Sequence, residues 1–575
     1  MRLPAFLAAM FGIAAICAAA QNPPEIQVWP RAATVVWPAD CEQFMFLELP
    51  RLTDGKFTVK IVLPDQVTAT GFFSGRSPAV PPPDSSMIPE SWKQDGNTVT
   101  INAPAGLSGN QVWLCTSIKV AAKQGSHAMT VEITDDAGKT LQKREFPVEV
   151  DAPLIGKTSK NLSIAVWYYA GLDPAYVERF VDQFQAAGVN AFYAMDGELV
   201  NGKVPATTVF DVAAARGLET GVVYFSGWVL KYAQQQNLIP AEQGLQYLLD
   251  HPDLFKQAFK AYIDHTTAGK EFQVIIYDAE AGCIRRDHIE GDLTAYGLEK
   301  FSKEIGSEKV LTPEQIFKDH AEQWMWFNCR QSNEIAKLSR EAIDEFYPSR
   351  LFMVYSGYEY DDDYKDLTRR NYSIDWKSMG DNFLDYAGAG YYGSADQIRH
   401  TFEVLEGRAT FVPADMYLEN FLSHQSAPTV GQWKMRLIRT FMNSGMRGVS
   451  LWYSAVMDGA ALEAVSEFTR FALLVEDFAI RGHLDSNAIT VSPRTEADNV
   501  YVIRDSKQAK VVLLNNSDAA KTFSLTLNDF KIKGYTSDIQ ITDIVSGEKF
   551  PAQRTIRIKV PPMGYRVIHI LDDGN

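Results

Sequence analysis

Positive charge is scarce in this chain. Lys and Arg number 55 against 71 Asp and Glu, for a formal net charge of −16. A phosphate backbone or an anionic lipid face needs a basic surface, so neither nucleic acid nor an anionic membrane is expected as the main partner. Cysteine is scarcer still, at five residues, and no spacing among them resembles a zinc site. There is no Walker-type phosphate loop, and no G-x-G-x-x-G follows a strand-like run. Beyond the N-terminus no stretch is apolar and long enough to span a bilayer. No metal and no organic cofactor is implied.

The N-terminus, "MRLPAFLAAMFGIAAICAAAQ", has one Arg, an apolar run, and Ala18-Ala19-Ala20 before Gln21. This is the order of a secretory signal, so residues 1–20 are expected to be removed and the mature chain to be secreted or periplasmic. A lipid anchor at Cys17 fits poorly, because Ala14, Ala15 and Ile16 precede it. Cys41 and Cys115 fall in one strand-rich region, where an exported protein can keep a disulfide; buried free thiols are the equal alternative. Cys283 and Cys329 lie far apart in the middle of the chain.

Three regions follow the signal. Residues 21–156 hold short alternating runs such as "KFTVKIVLP", "NTVTINAP" and "HAMTVEITDD", broken by Pro, Gly, Asp and Asn. That pattern predicts a β-sandwich, with no catalytic cluster in it. Residues 485–575 ("NVYVIRDS", "AKVVLLNNS", "KTFSLTLNDF") predict a second, smaller one. Between them, in 157–484, strand-like runs alternate with helical stretches. Eight runs are counted, beginning near Leu162, Val189, Leu218, Phe272, Leu351, Phe383, Ala409 and Gly448. "DPAYVERFVDQFQAAG" reads as one helix with an Asp-Pro start, and "TPEQIFKDHAEQWMWFNCRQSNEIAKLSREAIDEF" as one long amphipathic helix. Eight strand–helix repeats predict a (β/α)8 barrel with insertions, flanked by the two β regions.

In such a barrel, chemistry gathers at the C-terminal ends of the strands. The fourth run is "VIIYDAEAGC", Val274 to Cys283. Side chains alternate along a strand, so Val274, Ile276, Asp278 and Glu280 share one side. The two carboxylates would stand roughly 6 to 7 Å apart, over an apolar interior. Mutual repulsion and partial desolvation raise the pKa of at least one. Glu280 held protonated can donate to a leaving-group oxygen, with Asp278 as its helper. The plainer alternative is that both cap the next loop or pair with Arg285 and Arg286.

Other strand ends offer a second carboxylate. Asp415, in "FVPADMYLEN", is the first choice, with Glu359 of "VYSGYE" behind it; Glu419, Asp196, Glu198 and Asp385 are weaker. Aromatics converge on the same rim: Trp167, Tyr169, Trp228, Tyr358, Tyr392, Trp452 and Tyr453. Several from different strands suggest stacking walls for sugar rings. Asp375 and Trp376 are expected in a rim loop. The acidic run Asp361, Asp362, Asp363 and Asp366 lacks the spacing of a calcium loop and reads as a solvated turn.

At these residues the chain resembles the secreted barrel glycoside hydrolases. The D-x-E of Asp278 and Glu280, with Trp452 in "GVSLWYS", is similar to the chitinase-like barrels, where the Glu is the acid and the Asp orients an acetamido group. Val274 and Ile276 stand where that family's earlier aspartates would be. A Glu ending strand four also resembles the retaining β-glycosidase clan, where an Asn precedes it and strand seven supplies a Glu; here Ala279 precedes and strand seven offers Asp415. The tail "VPPMGYRVIHI" looks like the closing strand of amylase-like C-terminal domains. The resemblance implies a divergent glycoside hydrolase acting on a poly- or oligosaccharide, with Glu280 as proton donor, Asp278 as helper and Asp415 as opposing carboxylate. The rival reading is a non-catalytic carbohydrate-binding or surface-assembly protein on the same scaffold.

Overall fold

The computed structural model describes residues 25–572, apart from 30–32, 74–86, 108–110, 170–173, 196–207, 360–365, 380–382, 391–393, 406–409, 416–428, 452–456, 482, 485–488, 494–499, 506–507 and 529–538. The signal region therefore lies outside the described residues.

Eight parallel strands form the centre: β1 (Ser163–Tyr169), β2 (Ala191–Met195), β3 (Glu219–Tyr224), β4 (Val274–Asp278), β5 (Leu351–Gly357), β6 (Tyr386–Gly390), β7 (Thr410–Asp415) and β8 (Gly448–Leu451). Each pairs with the next, and Ser163↔Gly448 joins β1 to β8, so the sheet closes. Parallel strands are covered on both faces and so read as continuous apolar runs; all five residues of β4 are buried. Helices follow the strands: α1 (Val177–Ala186), α2 (Thr208–Ala215), α3 (Pro252–Thr267), α4 (Ala321–Phe346), α5 (Asp366–Tyr372), α6 (Ala395–Leu405), α7 (Val430–Asn443) and α8 (Gly459–Arg481).

Strand parity sorts the core. Ala165, Trp167, Tyr193, Val223, Val274, Ile276, Met353 and Tyr355 fill the interior. Their neighbours Val166, Phe192, Val222, Ile275 and Val354 pack outward among the helices. Two glycines make room for large interior side chains. A Cβ on Gly388 would stand 2.1 Å from Met353 Cε, and one on Gly221 would stand 2.8 Å from Tyr193 Cδ1.

Two sequence expectations are corrected. Helix α1 starts at Val177, after a 3-10 turn at Pro174–Tyr176. The long helix expected from Thr312 is two: Pro313–Asp319, opened by a Thr312–Gln315 capping box, and α4, with a break at His320. Past the break, Trp324 and Phe327 of α4 meet Phe301, with ring centroids 4.9 and 5.5 Å away. With Cys283, Ile284, Ile289 and Cys329 they form a separate core, so the segment between β4 and β5 is an insert with an interior of its own.

The N-terminal region consists of a four-stranded and a six-stranded sheet around one core. Strand Cys41–Pro50 is buried at nearly every position, which simple alternation does not predict. The reason is that both of its faces are covered. Met45, Leu47 and Leu49 enter the module's core, while Phe44 and Phe46 join the barrel's outer cluster. Phe44 lies 4.5 Å from Phe73 and 6.4 Å from Phe180 of α1. The C-terminal region repeats the device: in strand Gln508–Asn515, Val511 and Leu513 face its own core, and Val512 and Leu514 face the barrel helices. Cys41 and Cys115 are not joined in a disulfide; they sit on neighbouring strands, Cys41 opposite Val120 and Cys115 opposite Phe46.

At a second seam, α8 meets the N-terminal sheet. A Cβ on Gly459 would come within 2.4 Å of the Val36 carbonyl oxygen. One turn on, Glu463 meets the Asp151 carboxyl, and burial followed by that like charge pushes Glu463 up to about 8. Glu467 adds a further negative charge and Lys434 a positive one. A carboxyl protonated in the folded state holds more protons than in the unfolded chain. Its contribution is therefore complete below the ordinary value of 4.5 and is lost as pH rises through about 8. Thermal unfolding followed from about pH 5 to about pH 9 should show a steeper fall for the wild type than for Glu463→Gln, with the variant the more stable at the alkaline end. Parallel curves would mean that the seam holds no extra proton.

Candidate active site

Strand β4 carries Asp278 to the end of the barrel, directly above Ile276 on the inward side. Asp278 pairs in register with Tyr355 of β5. The Tyr355 ring lies 4.9 Å from Trp167 of β1, which in turn stands edge-on to Tyr193 of β2 at 5.9 Å. An aromatic floor drawn from three strands therefore underlies the carboxyl. Asp278 is 5% exposed, and its Oδ1 has no hydrogen-bond partner among the described residues. Burial, and then the charge of Glu280, hold its pKa well above the ordinary carboxylate range. The Tyr355 hydroxyl is pushed up as well, by burial and then by Glu280 and Asp278. Both carboxyls thus face the same ring.

Glu280 stands two residues past Asp278 and is partly exposed. The backbone between them is fixed: the Ala279 amide donates to the Tyr355 carbonyl at 2.8 Å, and the Ser356 hydroxyl donates to the Ala279 carbonyl at 2.8 Å. Of the arginines that could have neutralised the pair, Arg285 is engaged with Glu290 at 2.7 Å. The arrangement sets one carboxyl of raised pKa in a dry position and a second beside it, in reach of solvent. Such a pair can hold one proton across neutral pH and pass it to a bound oxygen.

The other sequence candidates scatter. Trp167 belongs to the floor. Trp228 packs against Phe225 at 4.4 Å and is half-buried at the interior cluster. Tyr358 lies in the cluster between barrel and helices, on the outward parity of Phe352 and Val354. Glu359 is fully buried, 3.5 Å from Arg369. Its charged neighbours are Arg369, Asp375 and Lys377, so it belongs to a different cluster from Asp278 and Glu280. Trp376 is core rather than rim, its indole donating to the Gly357 carbonyl at 2.8 Å. Asp385 caps the opposite end of β6, accepting from the Phe352 amide at 2.8 Å and from Arg340 at 3.0 Å.

Asp415 closes β7, in register with Leu451, which is itself in register with Val166. Leu451 and Val166 both pack outside the barrel, whereas Ala414 is in register with Ser450 and the inward-facing Ala165. The backbone thus gives Asp415 the outward parity, and its side chain lies outside the described residues, as does that of Tyr169. Tyr392, Trp452, Tyr453, Asp196, Glu198, Glu419 and Asp361 to Asp363 also lie outside them, and the side chain of Asp366 does too. Among the described residues no group of three His, Cys, Asp or Glu could hold a metal ion. The residue that sequence reasoning passed over is Tyr355. Its inward parity, shared with Leu351 and Met353, was the available signal.

No family model and no curated protein matches the chain. Among solved structures, a candidate alpha-galactosidase from Bacteroides fragilis shares 10% identity, covering 97% of this chain and 100% of that one, with a TM-score of 0.40. An alpha-amylase from Geobacillus thermoleovorans shares 9%, covering 73% and 100%, with a TM-score of 0.42. A GH30 endoxylanase from Clostridium papyrosolvens shares 12%, covering 73% and 98%, with a TM-score of 0.37. These likenesses are loose, and the functional reading rests on the residues at the mouth.

If Asp278 is neutral at pH 7, its amide isostere removes no charge. Asp278→Asn should unfold at a temperature equal to or above that of the wild type, and the gap should widen as pH rises. A variant markedly less stable at neutral pH would show that the carboxyl is ionised and paired.

Proposed function

We propose that the protein is an exported glycoside hydrolase whose acid is the Asp278–Glu280 pair. The observation that carries the reading is the buried Asp278 carboxyl, raised by burial and by Glu280, on an aromatic floor at the C-terminal end of a barrel strand. Glycosidic cleavage needs a proton delivered to the leaving oxygen. Glu280, the partly exposed member, is the donor to substrate. Asp278 lies beneath it and keeps the pair from losing its last proton near neutral pH. Tyr355 and Trp167 exclude water below, which strengthens the electrostatics above. Trp228 supplies an apolar wall for a sugar ring. Asp415 retains its place as the proposed opposing carboxylate by its position at the end of β7, against the outward parity of its backbone.

Hydrolysis of aryl glycosides and of plant, algal and mucin polysaccharides, by wild type and Glu280→Gln side by side, tests this reading. The variant should lose about 100- to 10,000-fold in kcat with folding intact. Wild-type activity should fall on the alkaline side as the pair loses its proton. Asp415→Asn measured alongside should lose a comparable factor; a loss below about tenfold removes Asp415 from the mechanism. The depth of Asp278 favours one other reading, a carbohydrate-binding barrel without turnover. Binding of a glycan by both proteins with no hydrolysis by either would establish that reading instead.

A further inference from the structure

The segment that carries Glu280 is held from outside the barrel. The Ser373 hydroxyl donates to the Ala281 carbonyl at 2.7 Å. The amides of Cys283 and Ile284 both donate to the Arg370 carbonyl, at 3.0 and 3.3 Å. At Gly282 the backbones come so close that a Cβ would stand 2.7 Å from the Asn371 carbonyl oxygen. Every one of these groups comes from the last turn of α5 or from the turn just after it.

That turn is itself clamped. Arg369 is 4% exposed, and its Nε and Nη2 donate to Asp375 Oδ1 at 3.0 and 2.6 Å. The same Nη2 lies 3.5 Å from Glu359 at the exit of β5. The guanidinium also stands over the Trp326 ring of α4, 5.1 Å from its centroid. The Ser373 amide closes onto the Arg369 carbonyl at 2.9 Å, and the Thr368 hydroxyl onto that of Tyr358. Ser373 has φ +54°, a left-handed conformation that a serine adopts only when its surroundings impose it. One arginine thus gathers β5, α4 and the turn at 373–375. Two buried carboxyls on one arginine are costly. Burial pushes Glu359 up to about 7, against the pull of Arg369. The chemistry at the mouth uses none of these groups directly.

We propose that Arg369 and Ser373 are positioning residues: the clamp of Arg369 on Asp375 and Glu359 sets the turn that grips residues 281–284, and so fixes where the Glu280 carboxyl stands above Asp278. The inference rests on the function proposed above for Glu280, and its test separates the two.

Two variants are measured on the full chain. Ser373→Ala removes one hydroxyl, and Arg369→Lys keeps the charge but loses the planar fork. Backbone hydrogen exchange, read by mass spectrometry, should speed up over 279–284 by about tenfold or more in both variants, with strand Gln508–Asn515 of the C-terminal region unchanged as the internal reference. On any glycan that the wild type cleaves, kcat should fall about ten- to a hundredfold while KM stays within about twofold. Exchange that is unchanged at 279–284, or faster along the whole chain, overturns the proposal. So does a raised KM with kcat preserved. If the wild type cleaves no glycan, the hydrolase reading fails, and the exchange pattern alone still decides whether the clamp holds the segment.

Discussion

A carboxyl that stands on Ile276 and Tyr355 instead of water must find a counter-charge or keep its proton, and Asp278 has Glu280, another acid, as its charged neighbour. Much of the mouth follows from that. The floor has to be dry, so large rings fill it: Tyr355, Trp167 and Tyr193, from three strands. The interior side chains need space, so β6 offers Gly388 where a Cβ would collide with Met353, and β3 offers Gly221 where one would collide with the Tyr193 ring. The carboxyl has to be aimed, so the Ala279 amide is pinned to β5. Packing, backbone hydrogen bonding and electrostatics here serve one desolvated group.

A second regularity runs through the β modules. Each lays a strand against the barrel that is apolar on both faces, Cys41–Pro50 at one end and Gln508–Asn515 at the other. One face completes the module's own core, and the other completes the outer shell of the barrel helices. Neither sheet could present that second face to water without exposing a row of large side chains, such as Phe44, Phe46 and Phe73.

The sequence made the layout legible where local pattern decides it. The apolar runs of the barrel strands can be read because burial on both faces leaves no alternation to confuse them, and parity alone puts Val274, Ile276 and Asp278 on one side. What could not be read depends on depth and register. Asp278 is the carboxyl whose pKa burial raises, because Tyr355 and Trp167 reach the same end of the barrel from strands distant in the chain. Glu359 looked like a continuation of β5, yet the strand ends at Gly357 and Glu359 lies beside Arg369, while Tyr358 keeps the outward parity of Phe352 and Val354. Asp415 looked aimed at the mouth from its strand-end position, and only the pairing of β7 with β8 reveals the outward parity of its backbone. The break at His320 left no signal in a sequence that is helical on both sides. The Arg369 clamp joins residues of four separate elements, which no single window of sequence displays.

The double-faced strands also bear on how such a chain can change over generations. Modules strung on linkers can be exchanged by recombination like beads. Here Phe44 of the N-terminal sheet and Phe180 of α1 share one cluster, so a replacement sheet must bring a matching relief or force the helix to change with it. The inner sheet and its facing helix are thus constrained as a pair. The edge strand of the outer sheet, Ser91–Asp95, is largely exposed, so its solvent-facing positions carry no such constraint.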